Sequence, residues 1–144
     1  MPKSGDAADP AGLAFRPAES GADVAACFPL MVALRPHLAS AEELVTRVVR
    51  QRAAGYRILV AWRAAAPVGL AGYRISENLI YGPFVYVDDL VTAESERGGG
   101  IGARLLDAVA EVARRRDADQ PFLAAERPQA LRHPPVRSGA MTWP

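Results

Sequence analysis

VDDLVTAESERGGGIGARLL, residues 87–106, is the stretch that decides the fold. It reads as a short apolar strand carrying two adjacent carboxylates, then a polar turn, then a glycine cluster opening an amphipathic helix. Gly98, Gly99, Gly100 and Gly102 fill four of five positions, and such a run lets main chain approach a ligand with no Cβ in the way. The helix behind it offers unpaired N–H groups and the positive end of its dipole at the same spot, a setting suited to phosphate or pyrophosphate. Arg97 stands at the lip of the loop, where a guanidinium can add a charge-assisted contact to the same anion. Read alone, the cluster would also suit a plain connection, since glycine commonly solves awkward turns.

The ordered combination says more than the glycines. Arg97-Gly98-Gly99-Gly100-Ile101-Gly102 fits the pattern Arg/Gln-x-x-Gly-x-Gly/Ala, and Leu90-Val91-Thr92 closes a strand at the right distance before it. In this the chain resembles the acyl-CoA signature of the GNAT N-acetyltransferase superfamily. The resemblance implies an α/β (α+β) fold: a mixed, mostly antiparallel sheet flanked by helices. It also implies acetyl-CoA as cosubstrate, with the CoA pyrophosphate on Arg97, Gly98, Gly99, Gly100, Ile101, Gly102 and Ala103. The pantetheine arm would pair with the backbone of Leu90, Val91 and Thr92. Thr92 stands where an apolar residue is more usual and Glu94 where proline is frequent; neither harms a site built from main-chain groups.

Composition bounds the alternatives. A chain of 144 residues suits one compact domain, half its residues are hydrophobic, and its formal charge is +1. Nothing there marks a partner for nucleic acid. No apolar run reaches the roughly 18 residues of a membrane helix and no signal-peptide pattern opens the chain, so a soluble cytoplasmic protein is expected. Cys27 is the only cysteine, and His37 and His133 the only histidines; no disulfide or metal site is expected.

From the start, residues 1–12 show no period and read as a disordered leader. Leu13–Arg16 reads as a strand. Asp23 can cap a helix with Val24, Cys27, Phe28 and Met31 on one face, kinked by Pro29 and ended by Pro36. Ser40 and Glu43 form a capping box for a helix that buries Leu44, Val45, Val48 and Val49 and stops at Gly55. Tyr56–Trp62 and Pro67–Ile75 read as a hairpin across Ala64–Ala66, and Ser76–Gly82 as a connection. Along Phe84–Val91, period two puts Val85, Val87, Asp89 and Val91 on one face and Tyr86, Asp88 and Leu90 on the other. In the helix from Ile101 to about Arg116, Ile101, Leu105, Leu106, Val109 and Val112 make an apolar stripe, with Arg104, Asp107, Glu111 and Arg115 facing water.

Acetyl transfer by direct attack requires an amine, of a small molecule or a protein, to lose a proton near the acyl carbon, so a carboxylate is the expected base. Asp88 is the first candidate, at a position where polyamine-type relatives carry an acidic residue, and Asp89 the second. Each would equally suit a structural hydrogen bond to nearby backbone. Tyr73, Tyr81 and Tyr86 could wall the acceptor pocket or pack the core.

The domain so read spans residues 13–116. Residues 117–144 carry five prolines, no tyrosine and only Phe122-Leu123 as a strand fragment, where family members continue with further strands and an Ala-His-x-Phe-Tyr-like segment. That tail fits either a shifted reading frame or a sheet completed by a second copy, and an unfinished edge would favour a homodimer. Two other functions compete. One is a weakly active or inactive acyl-CoA-binding module. The other is a dinucleotide-binding protein, since Gly98–Ala103 also fits G-x-G-x-x-G/A, although Ala93–Glu96 separates that motif from its strand.

Overall fold

The computed structural model describes residues 12–80 and 82–115. The expected leader up to residue 11, Tyr81 and the proline-rich tail with Phe122-Leu123 lie outside them. Four strands, β1 (Leu13–Pro17), β2 (Arg57–Arg63), β3 (Ala66–Asn78) and β4 (Gly82–Thr92), form one sheet in chain order. Every pairing is antiparallel. Between β1 and β2 run α1 (Gly21–Ala26), α2 (Phe28–Leu34) and α3 (Ala41–Arg52); after β4 a 3₁₀ turn at Glu94–Glu96 leads into α4 (Ile101–Arg115). No helix among the described residues is long and apolar enough to cross a membrane.

Both faces of the sheet are covered, as the continuous apolar runs at Ile58–Trp62 of β2 and Val68–Tyr73 of β3 require. Leu59, Ala61, Ala71, Tyr73, Val85 and Val87 meet Ile101, Leu105, Val109 and Ala113 of α4. On the opposite face Ile58, Val60, Trp62 and Leu70 pack against Val24, Met31, Leu44 and Val48 of the first three helices. Tyr73 therefore belongs to the core under α4. Cys27 lies fully buried on the other side; burial, then the nearby Asp23 charge, pushes its thiol up to about 12, which makes it a packing residue and not a nucleophile.

Local chemistry explains the helix ends. Ser20, not Asp23, caps α1: its Oγ accepts the Asp23 N–H at 3.0 Å. Pro29 falls in the first turn of α2, where no N–H is needed, so the expected single kinked helix is two helices broken at Cys27. Ser40 Oγ accepts the Glu43 N–H at 3.0 Å, and the Glu43 carboxylate reaches back one residue further than a standard box, to the Ala39 N–H at 2.7 Å. That N–H first, and Arg47 second, hold the Glu43 carboxyl below its usual range. Val49 faces solvent, 58% exposed, because the buried stripe of α3 is carried by Leu44 and Val48.

The expected connection over Ser76–Gly82 is shorter than its sequence suggests, since Asn78 already pairs with Gly82. More consequential is a bulge in β4. Gly72 pairs with Asp89 while Tyr73 pairs with Val87, so Asp88 is an extra residue. Period two fails across it. Leu90 joins Val85 and Val87 under α4, while Asp89 and Val91 turn to the other face. The expectation that the two carboxylates point to opposite faces is thereby corrected: both line one cavity.

Candidate active site

The glycine-rich loop is pinned at its base before it turns. Arg63 of β2 grips Glu96 with two parallel hydrogen bonds, Nε at 3.0 Å and Nη2 at 2.9 Å, tying the 3₁₀ turn to the sheet. The same guanidinium holds the Glu96 carboxyl below its usual range. Gly98 and Gly100 then take φ of +87° and +83°, backbone that side-chain-bearing residues seldom adopt. A Cβ at either would meet no protein atom within 4 Å, so these glycines are demanded by dihedral angle and leave open room in front of the loop. Within α4 the first N–H with a helical partner is that of Arg104, donated to the Gly100 carbonyl at 3.1 Å. The N–H groups of Ile101, Gly102 and Ala103 belong to the first turn, which has no intrahelical acceptors.

This loop forms one wall of a cavity of about 420 Å³. Ala33 and Leu34 at the end of α2 form another, and Leu90, Val91 and Thr92 of β4 the third. Of the loop residues singled out from sequence, Arg97, Gly98, Gly100, Ile101 and Gly102 line this space. Gly99 does not; its N–H is spent on the Glu96 carbonyl at 3.2 Å. Ala103, also absent from the lining, is exposed in the first turn of α4. Ala93 donates its N–H to Val68 of β3 at 2.9 Å, and by the alternation of a strand the main-chain groups of Thr92 and Leu90 point away from β3. These observations fit a pyrophosphate-bearing acyl carrier: open amides at a helix start, an arginine at the lip, and outward main-chain groups on a strand end.

A second cavity, of about 370 Å³, opens on the other side of the α2–β4 contact. Asp88, Asp89, Tyr86, Tyr56, Arg35 and Gln51 are among its walls. Asp88 Oδ2 accepts from Arg74 Nε and Nη2 at 2.9 and 2.7 Å, and Arg74 also donates to Gln51 Oε1 at 3.2 Å. Asp89 Oδ1 accepts from Arg35 Nε at 2.8 Å and Oδ2 from the Tyr56 hydroxyl at 2.6 Å. Burial, and then the Asp89 charge, hold the Tyr56 hydroxyl well above the ordinary tyrosine range. Arg35, Arg74, Tyr56 and Gln51 were not marked by the sequence. Each is an ordinary residue of its element; the pairing of β2, β3 and β4 brings Tyr56 and Arg74 to the carboxylates, and the helices bring Arg35 and Gln51.

A strand end and a glycine loop line one cavity, and a second cavity beside it holds carboxylates, an arrangement that suits a group-transferring enzyme. The chain belongs to the Acetyltransferase (GNAT) family, whose model matches residues 25–132, and it is accordingly an acetyltransferase. The match continues beyond Arg116. Comparison with curated protein sequences gives no match. Among solved structures, a GNAT family acetyltransferase of Staphylococcus aureus superposes with a TM-score of 0.71 at 15% identity, over 92% of this chain and 98% of that one. A ribosomal-protein-alanine N-acetyltransferase from Brucella melitensis biovar Abortus gives 0.67 at 20% identity, over 82% and 83%. An aminoglycoside acetyltransferase from an uncultured soil metagenomic sample gives 0.64 at 19% identity, over 82% and 80%. At these identities the likeness is one of fold.

Proposed function

We propose that this chain transfers an acetyl group from acetyl-CoA to an amine, of a small molecule or a protein, by direct attack. The observation that carries the reading is the first cavity, which joins the outward main chain of Leu90–Thr92 to the glycine loop at the start of α4. In this reading Arg97 and the amides of Gly98, Gly100, Ile101 and Gly102 hold the pyrophosphate, and the strand end of Leu90, Val91 and Thr92 aligns the pantetheine arm. When bound, acetyl-CoA supplies the activated acyl thioester. The outward N–H of Leu90 is the donor placed to polarise its carbonyl. A ribosomal-protein-alanine N-acetyltransferase and an aminoglycoside acetyltransferase share this fold, which supports an amine acceptor of either kind. A cytoplasmic setting belongs to the same reading, as the place where such a carrier is met.

For the amine proton, Asp88 is the first candidate and Asp89 the second. Both carboxylates are engaged by guanidinium groups, so either must exchange one hydrogen bond for the amine or a bridging water. Asp88 does this more readily, its side chain being 20% exposed against 11% for Asp89.

Calorimetric titration with acetyl-CoA tests the reading, alongside Gly100→Glu, which sets a carboxylate at the loop. The parent should bind and the variant lose affinity by about a hundredfold or more. A panel containing an aminoglycoside, a polyamine and a peptide with an alanine N-terminus should then reveal an acceptor. Binding without turnover of any amine would turn the protein into an acyl-CoA-binding module, and a folded parent that fails to bind would end the proposal.

A further inference from the structure

Asp89 is the one carboxylate counted as buried among the described residues. Its two oxygens are spoken for from opposite directions, Oδ1 by Arg35 and Oδ2 by Tyr56. Arg35 also donates from Nη2 to the main-chain carbonyl of Asp88 at 2.8 Å. This second bond takes hold of the bulged residue by its backbone. Asp88 is the extra residue in β4, skipped by the register with β3, and a bulge is a place where a strand can be re-aimed. It is held from two sides, its carboxylate by Arg74 of β3 and its main-chain carbonyl by Arg35 at the end of α2.

The room for the cluster was made at β3. A Cβ on Gly72 would run into the Tyr56 hydroxyl and stand 2.7 Å from its Cζ and 2.8 Å from Asp89 Oδ2. Stability alone does not account for such an arrangement. A buried ion pair costs desolvation that its attraction roughly repays, and apolar residues of the same volume commonly serve a core as well. What the trio does achieve is placement. It sits at the seam between the two cavities, with Leu34 and Leu90 facing the first and Arg35 and Asp89 facing the second.

We propose that Arg35, Asp89 and Tyr56 are positioning residues: together they clamp the β4 bulge so that the Leu90 N–H is held on the acyl carbonyl at the boundary of the two cavities. The proposal rests on the acetyl-CoA reading above. It separates two properties of the site, since affinity belongs to the glycine loop while the clamp governs only the acyl end.

The test uses the full chain with [1-¹³C-acetyl]-CoA, following calorimetric affinity and the carbonyl ¹³C resonance of the bound thioester. Tyr56→Phe removes one hydroxyl and keeps the ring; Arg35→Lys keeps the charge and removes the fork. Each variant is measured well below its own unfolding transition. In the parent the bound carbonyl should be displaced from its free position. In either variant affinity should stay within about threefold while the displacement shrinks by about half or more. Any amine the parent acetylates should turn over about ten- to a hundredfold more slowly, in kcat and not in KM for acetyl-CoA. Variants that keep the parental resonance would reduce the trio to a structural role and overturn the clamp, as would a parent whose bound carbonyl is not displaced. A folded variant that loses affinity about tenfold would also overturn it, because the trio would then be supporting the whole site. A parent that does not bind acetyl-CoA at all would instead remove the reading beneath.

Discussion

Gly69 and Gly72 lie three residues apart on β3 and serve opposite faces of the sheet. A Cβ on Gly69 would come 2.8 Å from Ile101 Cγ2, the branch methyl of a stiff side chain, and 3.2 Å from Leu105 Cδ1, the free end of a flexible one, both on α4. A Cβ on Gly72 would strike a tyrosine whose hydroxyl is fastened to a buried carboxylate. The first intrusion can be absorbed by a small shift of α4 on an apolar surface, the second only by breaking a hydrogen bond to a buried carboxylate. The half of the site proposed to bind the carrier is thus main chain resting on an apolar layer, whereas the half with the carboxylates is a jointed set of charged side chains. The comparison teaches that the two cavities, although they share the α2–β4 wall, will fail in different ways.

The largest effect is expected from Gly72→Ala. Forcing Tyr56 off Asp89 both overpacks the core and unpairs a buried carboxylate, and should lower stability by about 3 kcal/mol in chemical denaturation. A loss below about 1 kcal/mol would show that the tyrosine moves freely and would erase the contrast. Gly69→Ala should cost about 1–2 kcal/mol, since a small shift of α4 and a rotamer change of Leu105 absorb most of the intrusion. Its mark should be a few-fold weaker acetyl-CoA binding, because the displaced residue opens α4 beside the loop; unchanged affinity would mean the loop is set by Arg63–Glu96 alone.

The smallest effect concerns alkaline pH. Tyr56 holds its proton more tightly folded than unfolded, with burial the larger cause and Asp89 the next. A folded-state value raised above the unfolded one, near 10 for tyrosine, gives stability that is complete below that pH and declines as pH rises past it toward the folded value. Denaturation midpoints of the parent should therefore fall faster above about pH 10 than those of Tyr56→Phe, by at most about 1.4 kcal/mol per pH unit. Parallel curves would show that the hydroxyl is not held as the geometry implies.

Much of the molecule was legible without coordinates, for identifiable reasons. The apolar stripe of α4 reads out because a helix buries whatever its 3.6-residue period puts on one side, and Ile101, Leu105 and Val109 are indeed buried. Ser40 announces α3 because a cap acts within three residues. The strands β2 and β3 follow from their aromatic and β-branched content and from the turn between them at Ala64. Where the reading failed, a distant partner intervened. Val49 looked apolar enough to bury, but the face of α3 that meets the sheet runs through Val48. The two aspartates looked opposed because period two was carried through a bulge that only the pairing of β4 with β3 creates.

By itself the sequence determined membership of a fold class and the outline of one half-site. Leu90 to Ala103 is contiguous, and its meaning lies in glycine dihedrals and unpaired amides, properties of local backbone that no distant residue has to supply. The other half was decided by tertiary structure alone. Arg35 is 54 residues from Asp89 and Tyr56 is 33 away. Hydrogen bonds over such separations exist only once α2 has packed over β4 and β2, β3 and β4 have paired, because burial both brings the groups together and obliges the carboxylate to find partners.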